Sequence, residues 1–265
     1  MRKLLGLAVL ALVPAVAVRA GDEDKYTTVK GQFIWDKDKG APPARMVIKP
    51  TKDEEVCAKD KDFKTEEWVI SPKGGIKNVV VWLAPEPKAG GPKLKDLPPF
   101  DAKDFHPAMA KPAKADVEID QPCCRFIPHI VLAQEGQGMV IKNSAPVPHN
   151  AKWTSQKNGE INPLIPSGAQ FKLPDPLVAD RFPITVECSI HPWMKAYVWV
   201  FKHPYFAVTD DEGNFEIKNV PVLDGKLRLV AWHEAGVAGD WRMGSPITVT
   251  PKSTDLKSIK LKTKE

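Results

Sequence analysis

Proline restricts what this chain can fold into more than any other residue type. Twenty-six of the 265 residues are Pro, concentrated in 85–128 and 146–204. There they break helices by removing amide donors, yet they suit the turns and edges of an all-β protein. No long segment carries a helical period, and the nearest helix candidates, Ala102 to Met109 and Glu234 to Gly239, are short. Strand signals are plentiful: Thr27 to Trp35, Val47-Ile48, Asn78 to Leu83, Phe182 to Glu187, Lys195 to Val200, and Lys226 to His233. Between Tyr205 and Pro221 an Asp-Glu-Gly-Asn turn separates two strand-like runs, which predicts a hairpin. The stretch 85–118 shifts to Pro, Lys, Ala and Gly and reads as a linker-like loop.

Residues 1–20 read as a signal peptide: Arg2 and Lys3, an apolar run from Leu4 to Val18, then the small-residue end Val18-Arg19-Ala20. The run is short for a membrane span and Pro14 interrupts it; an uncleaved N-terminal anchor is the alternative. Gly21, where a lipoprotein would carry Cys, points to a soluble exported chain, periplasmic or secreted, with no membrane span after cleavage. Cleavage removes Arg2, Lys3 and Arg19, so the formal charge falls by three, from +5 to +2. Lys residues alternate with Asp and Glu, as in Asp36-Lys37-Asp38-Lys39, so there is no basic stripe suited to nucleic acid. A phosphate-cradling Gly loop and a Ser/His/Asp pattern are also missing from the sequence, and no enzyme activity is expected.

The chemistry concentrates in Cys188-Ser189-Ile190-His191-Pro192-Trp193-Met194, a thiol, an imidazole and a thioether spaced Cys-x2-His-x2-Met between two strand-like runs. A mononuclear copper cycling between Cu(I) and Cu(II) takes one thiolate, two imidazoles and a weak axial Met. The second imidazole has to come from elsewhere, and Pro148-His149-Asn150, about forty residues upstream after a run ending in Asn143, is the natural donor. These segments, with Val140-Ile141-Lys142-Asn143 and the following Tyr197-Val198-Trp199-Val200, resemble the cupredoxins, in particular the plastocyanin-like small blue proteins. The resemblance implies a Greek-key β-sandwich over 119–202, with His149, Cys188, His191 and Met194 as ligands of one copper ion. Ala196 stands where many members have Gly, a departure that leaves the ligands untouched.

The Thr-Asp-x-x-Gly-x-Phe phrase at Thr209 to Phe215, with its following Pro turn and strand, is similar to the carboxypeptidase regulatory-like, transthyretin-like sandwich. The opening strands of such a domain match Lys30-Gly31-Gln32-Phe33 and Asn78-Val79-Val80-Val81-Trp82, on the far side of the copper segment. The resemblance therefore implies an immunoglobulin/transthyretin-like β-sandwich split into 26–118 and 203–262, with the cupredoxin-like module at 119–202 inserted in or flanked by it.

With Cys188 assigned to copper, Cys57, Cys123 and Cys124 remain. A bridge between adjacent Cys123 and Cys124 would be strained, so Cys57 is expected to pair with Cys124, which opens the cupredoxin-like segment, or else with Cys123. A zinc site using these Cys and His129 is an alternative, although paired Cys-x2-Cys spacing is lacking. His129 is also a candidate polar group near the metal, against an ordinary strand histidine. Trp82, Trp199 and Trp232 read as core rather than a sugar platform, while Trp193 falls inside the ligand loop, near the metal or a partner's approach. The reading is an exported blue-copper one-electron carrier serving an unidentified redox partner protein. Copper storage or delivery, and a non-redox structural or carbohydrate-binding sandwich, are the alternatives.

Overall fold

The computed structural model describes residues 24–59, 63–88, 97–237 and 243–263. The expected signal peptide lies outside these residues, as does the middle of the linker-like loop. No helix among the described residues is long and apolar enough to cross a membrane.

Strand alternation builds three apolar layers. Val81 and Leu83 of the strand Val80–Pro85, and Leu227, Leu229 and Ala231 of Lys226–Trp232, point to one side. They meet Val29, Phe33 and Trp35 of Tyr26–Trp35 and Phe215 and Ile217 of Asn214–Pro221. The first pair belongs to a sheet ordered Phe206–Val208, Val80–Pro85, Lys226–Trp232, Ser245–Thr248; the second to one ordered Asn214–Pro221, Tyr26–Trp35, Lys252–Thr263, Gly236–Val237. Two sheets closed on one core make a β-sandwich, and its strands come from both sides of residues 116–201 in the sequence. Gly31 falls on the inward face of its strand because the Phe215 ring occupies that space: a Cβ there would lie 2.9 Å from the ring.

The second sandwich sets Gln170–Lys172, Gly138–Lys142 and Asp116–Ile119 against Ile184–Glu187, Lys195–Phe201 and Ile130–Gln134. Its core holds Ile119, Phe126, Val131, Met139, Ile141, Trp153, Val186, Val198 and Val200. The continuous apolar run at 196–201 is explained by burial on both faces. Ala196, Val198 and Val200 enter this core, whereas Tyr197, Trp199 and Phe201 enter a third layer with Val80, Ile130, Trp82, Phe206 and Trp232. That aromatic layer joins the two sandwiches.

Some local expectations change. The runs flanking Asp210–Asn214 do not form a hairpin ladder: Phe206–Val208 pairs with Val80–Pro85, while Asn214–Pro221 pairs with Tyr26–Trp35. Thr209 pins the point of divergence, accepting from the Val79 amide at 2.9 Å and donating to the Ile76 carbonyl at 2.6 Å. The turn itself is tight, with Asp210 Oδ1 accepting from the Glu212 and Asn214 amides and Gly213 at φ 80°. A Cβ on Gly213 would sit 2.3 Å from the Phe33 carbonyl oxygen, so the crossing requires glycine. Ala102 to Met109 becomes two 3-10 turns, Ala102–Asp104 and Pro107–Met109, because Pro107 cannot continue the first. Gly236–Val237, in the other helix candidate, is a strand paired with Lys252–Thr263. The strand Asp116–Ile119 pairs in parallel with Gly138–Ile141.

Candidate metal centre

The ligand loop is fixed at both ends by the antiparallel pair Ile184–Glu187 and Lys195–Phe201, whose last matched residues are Glu187 and Lys195. Within it the Met194 amide donates to the His191 carbonyl at 2.9 Å and the Cys188 amide to the Met194 carbonyl at 3.3 Å. This closes the loop and turns Cys188 and His191 the same way, with Cys188 Sγ 3.8 Å from His191 Nδ1. Met194 is carried by the same turn, is 2 % exposed, and lines a small cavity beside Trp193.

His149 arrives from the other side, on the two-residue strand His149–Asn150 paired with Leu164–Ile165. Its ring centroid lies 4.7 Å from that of His191. Asn143 organises the intervening turn: its Nδ2 donates to the Val147 and Ile165 carbonyls, and its Oδ1 accepts from the Ala145 amide and sits 3.0 Å from His149 Nδ1. Asn150, the next residue, crosses to the ligand loop. Its Oδ1 accepts from Cys188 Sγ at 3.2 Å and from the Ser189 and Ile190 amides at 2.8 and 3.3 Å. The two asparagines thus tie each ligand-bearing segment into one frame.

His149 and His191 are 0 % exposed and Cys188 is 2 % exposed. Burial, then the neighbouring His191, pushes the His149 imidazole down to about 4, so it is neutral at physiological pH. With Nδ1 engaged by Asn143, its Nε2 is buried with no hydrogen-bond partner. Native interiors rarely leave such an atom unmatched. A neutral imidazole with an unspent lone pair, a thiol and a second imidazole suit a soft or borderline transition metal. The residues present therefore fit a copper ion.

His191 has a further partner outside this sandwich, Asp53, whose Oδ2 lies 2.9 Å from Nε2. Cys57 and Cys124 form a disulfide with Cα atoms 5.4 Å apart, the expected pairing, and Cys123 stays outside it. Both bridge sulfurs lie within 4.8 Å of a His191 ring nitrogen and of each other. Bonded to one another, they are no thiolate ligands; they form a wall beside the imidazole. His129 lines the same cavity of about 240 Å³ as Met194, but its nitrogens are occupied by the Lys195 carbonyl at 3.1 Å and Glu234 at 2.6 Å. Burial opposes the charge on Glu234, yet the hydrogen bond and charge of His129 hold its carboxyl below the usual range. His129 thus braces the sandwich contact, together with Tyr197, whose hydroxyl donates to Glu234 at 3.0 Å.

The four residues singled out in the sequence lie on two adjoining segments, with Cys188, His149 and His191 brought together. Sequence reasoning missed three supporting residues. Asn143 and Asn150 bracket the His149 segment, Asn143 ending the strand-like run before the turn and Asn150 following His149 directly, and nothing in the local sequence marks either as a support. Asp53 had no local signal, since 138 residues separate it from His191.

No family profile matches the sequence, and no curated protein does. Among solved structures, a reduced, singly substituted amicyanin is similar at 19% identity over 35% of this chain and 88% of that one, with a TM-score of 0.30. A purple cupredoxin from Nitrosopumilus maritimus is similar at 22% identity over 32% of this chain and 100% of that one, TM-score 0.27. A copper-containing nitrite reductase from Thermus scotoductus SA-01 is similar at 18% identity over 32% of this chain and only 22% of that one, TM-score 0.29.

Proposed function

We propose that the chain is an exported blue-copper protein that passes single electrons to or from a partner protein and catalyses no reaction of its own. Its copper would be held by His149, Cys188, His191 and Met194, in a cupredoxin-like module carried by a split sandwich built from 26–118 and 203–262. The observation that carries this reading is the buried, unpartnered Nε2 of a neutral His149 beside the Cys188 thiol and the second imidazole. Bound there, copper would supply reversible one-electron chemistry between Cu(I) and Cu(II).

The protein's own groups have separate tasks. Cys188 would bind the metal as a thiolate, its proton released to solvent on metal binding, and the Ser189 and Ile190 amides, gathered on Asn150 Oδ1, fix the chain direction leaving it. Asn143 holds the His149 ring so that it need not reorient. Full burial of both imidazoles excludes water, and the strand pair beneath the loop resists change between oxidation states. Such a rigid frame suits electron transfer.

Adding Cu(II) to the purified protein is expected to give an intense visible band from thiolate-to-copper charge transfer, at one copper per chain. Cys188→Ser should abolish it. A colourless Cu(I) complex that does not cycle would favour storage or delivery, and no tight copper binding would leave a structural sandwich.

A further inference from the structure

We infer that Asp53 is a positioning residue for His191, delivered to the site by a segment of the other sandwich's chain that is bolted onto the ligand loop. The inference rests on the copper reading and deepens it. Asp53 precedes the one-turn helix Glu54–Cys57, and its carbonyl accepts from the Val56 and Cys57 amides at 2.9 Å. An Asp in this place ordinarily caps the helix with its carboxylate. Here the side chain makes no cap bond. It reaches away instead, with Oδ2 2.9 Å from His191 Nε2. The backbone at Asp53 is left-handed, φ 50° and ψ 42°, a conformation disfavoured for residues bearing a Cβ. Both the forgone cap and the strained backbone serve the contact with the imidazole.

The segment is anchored independently of that contact. Cys57, four residues on, is bonded to Cys124, whose carbonyl accepts from Trp193 Nε1 at 3.1 Å. Phe63 meets the Trp193 ring edge-on, centroids 6.2 Å apart, and the Arg125 guanidinium lies 4.6 Å over Phe63. His191 is consequently sealed, while the Asp53 side chain keeps 28% of its surface in solvent.

The chemistry of the pair has one direction. A carboxylate accepting the Nε2 proton fixes the tautomer in which Nδ1 carries the lone pair, and Nδ1 is the atom facing Cys188. It also makes the ring a stronger donor and adds negative charge near the metal position. Both effects favour Cu(II) over Cu(I).

The test uses the mature chain with its disulfide intact, as wild type, Asp53→Asn and Asp53→Ala. In the metal-free protein, the ring proton on His191 Nε2 should appear by nitrogen-edited NMR, exchange slowly, and be lost to solvent exchange in Asp53→Ala. Asp53→Asn keeps an acceptor oxygen and tolerates the left-handed backbone, so it should retain the proton. Loaded with copper, Asp53→Asn should lose about tenfold in preference for Cu(II) over Cu(I), a rise in reduction potential of about 59 mV for one electron. An Nε2 proton unaltered in Asp53→Ala would overturn the inference. So would a potential unmoved in Asp53→Asn, which would leave Asp53 a mechanical clamp. If the wild type binds no copper, the function fails, and the metal-free ring proton still decides whether Asp53 holds His191.

Discussion

Single residues carry the site, and the sequence exposed them unevenly. Cys188 and His191 were legible because one turn between paired strands brings residues three apart together, Sγ 3.8 Å from Nδ1; Met194 was legible by its spacing alone. His149 required a second segment, and only its Asn-flanked position after an apolar run marked it. Asp53 was invisible because long-range contacts of a single carboxylate leave no periodicity. His203 offers a pH test away from the metal. Its Nδ1 accepts from the Tyr205 amide at 3.1 Å among the rings of Phe100, Phe201 and Tyr205, and burial pushes its pKa down to about 4 from 6.5. Between these values the unfolded chain binds a proton that the folded chain refuses. Stability should therefore rise with pH across that window, by up to about 1.4 kcal/mol per pH unit from this group, and level off above it. His203→Asn preserves an acceptor for Tyr205 and should remove that share of the slope, as read by urea unfolding of the metal-free protein at pH 4.5, 5.5 and 7.

At the scale of elements, the Cys57–Cys124 bridge closes a stretch of 67 residues. Replacing both cysteines by Ser should lower stability by about 4 kcal/mol, from the loop entropy returned to the unfolded chain. Denaturant unfolding of the double variant checks this, and a loss under about 1 kcal/mol would mean that the reduced chain is already held by other contacts. Counting cysteines once Cys188 was set aside left Cys57 to pair with Cys124 or Cys123, and Cys124 was preferred for its place at the start of the cupredoxin-like segment; the bridge's place against His191 was not legible, because counting carries no geometry. At Asp210–Asn214 the turn was readable from Asp-Glu-Gly-Asn, whereas the parting of its two arms to opposite sheets depends on Thr209 gripping Val79 and Ile76, partners 130 and 133 residues away in the chain.

Across the whole molecule, the two sandwiches meet through aromatic rings. Trp82 and Trp199 have centroids 4.8 Å apart, Tyr197 and Trp232 5.0 Å, and Trp199 and Trp232 5.6 Å. The runs read as strands at 78–83 and 195–200 form the strands Val80–Pro85 and Lys195–Phe201, but a run buried on both faces does not say what covers its second face. Trp199 is 3 % exposed, so Trp199→Ala should cost about 3–5 kcal/mol. Tryptophan fluorescence and far-ultraviolet dichroism should then shift together in one earlier transition, since the layer belongs to both cores. Two separated transitions, with only one displaced, would show the sandwiches to be energetically independent.

Whether Cys188 and the two imidazoles bind one copper is decided by X-ray absorption at the copper edge of the Cu(II)-loaded protein. One short sulfur scatterer and two imidazole nitrogens are expected, with the sulfur lost in Cys188→Ser; a first shell of nitrogen and oxygen alone, unchanged by that substitution, would rule this site out.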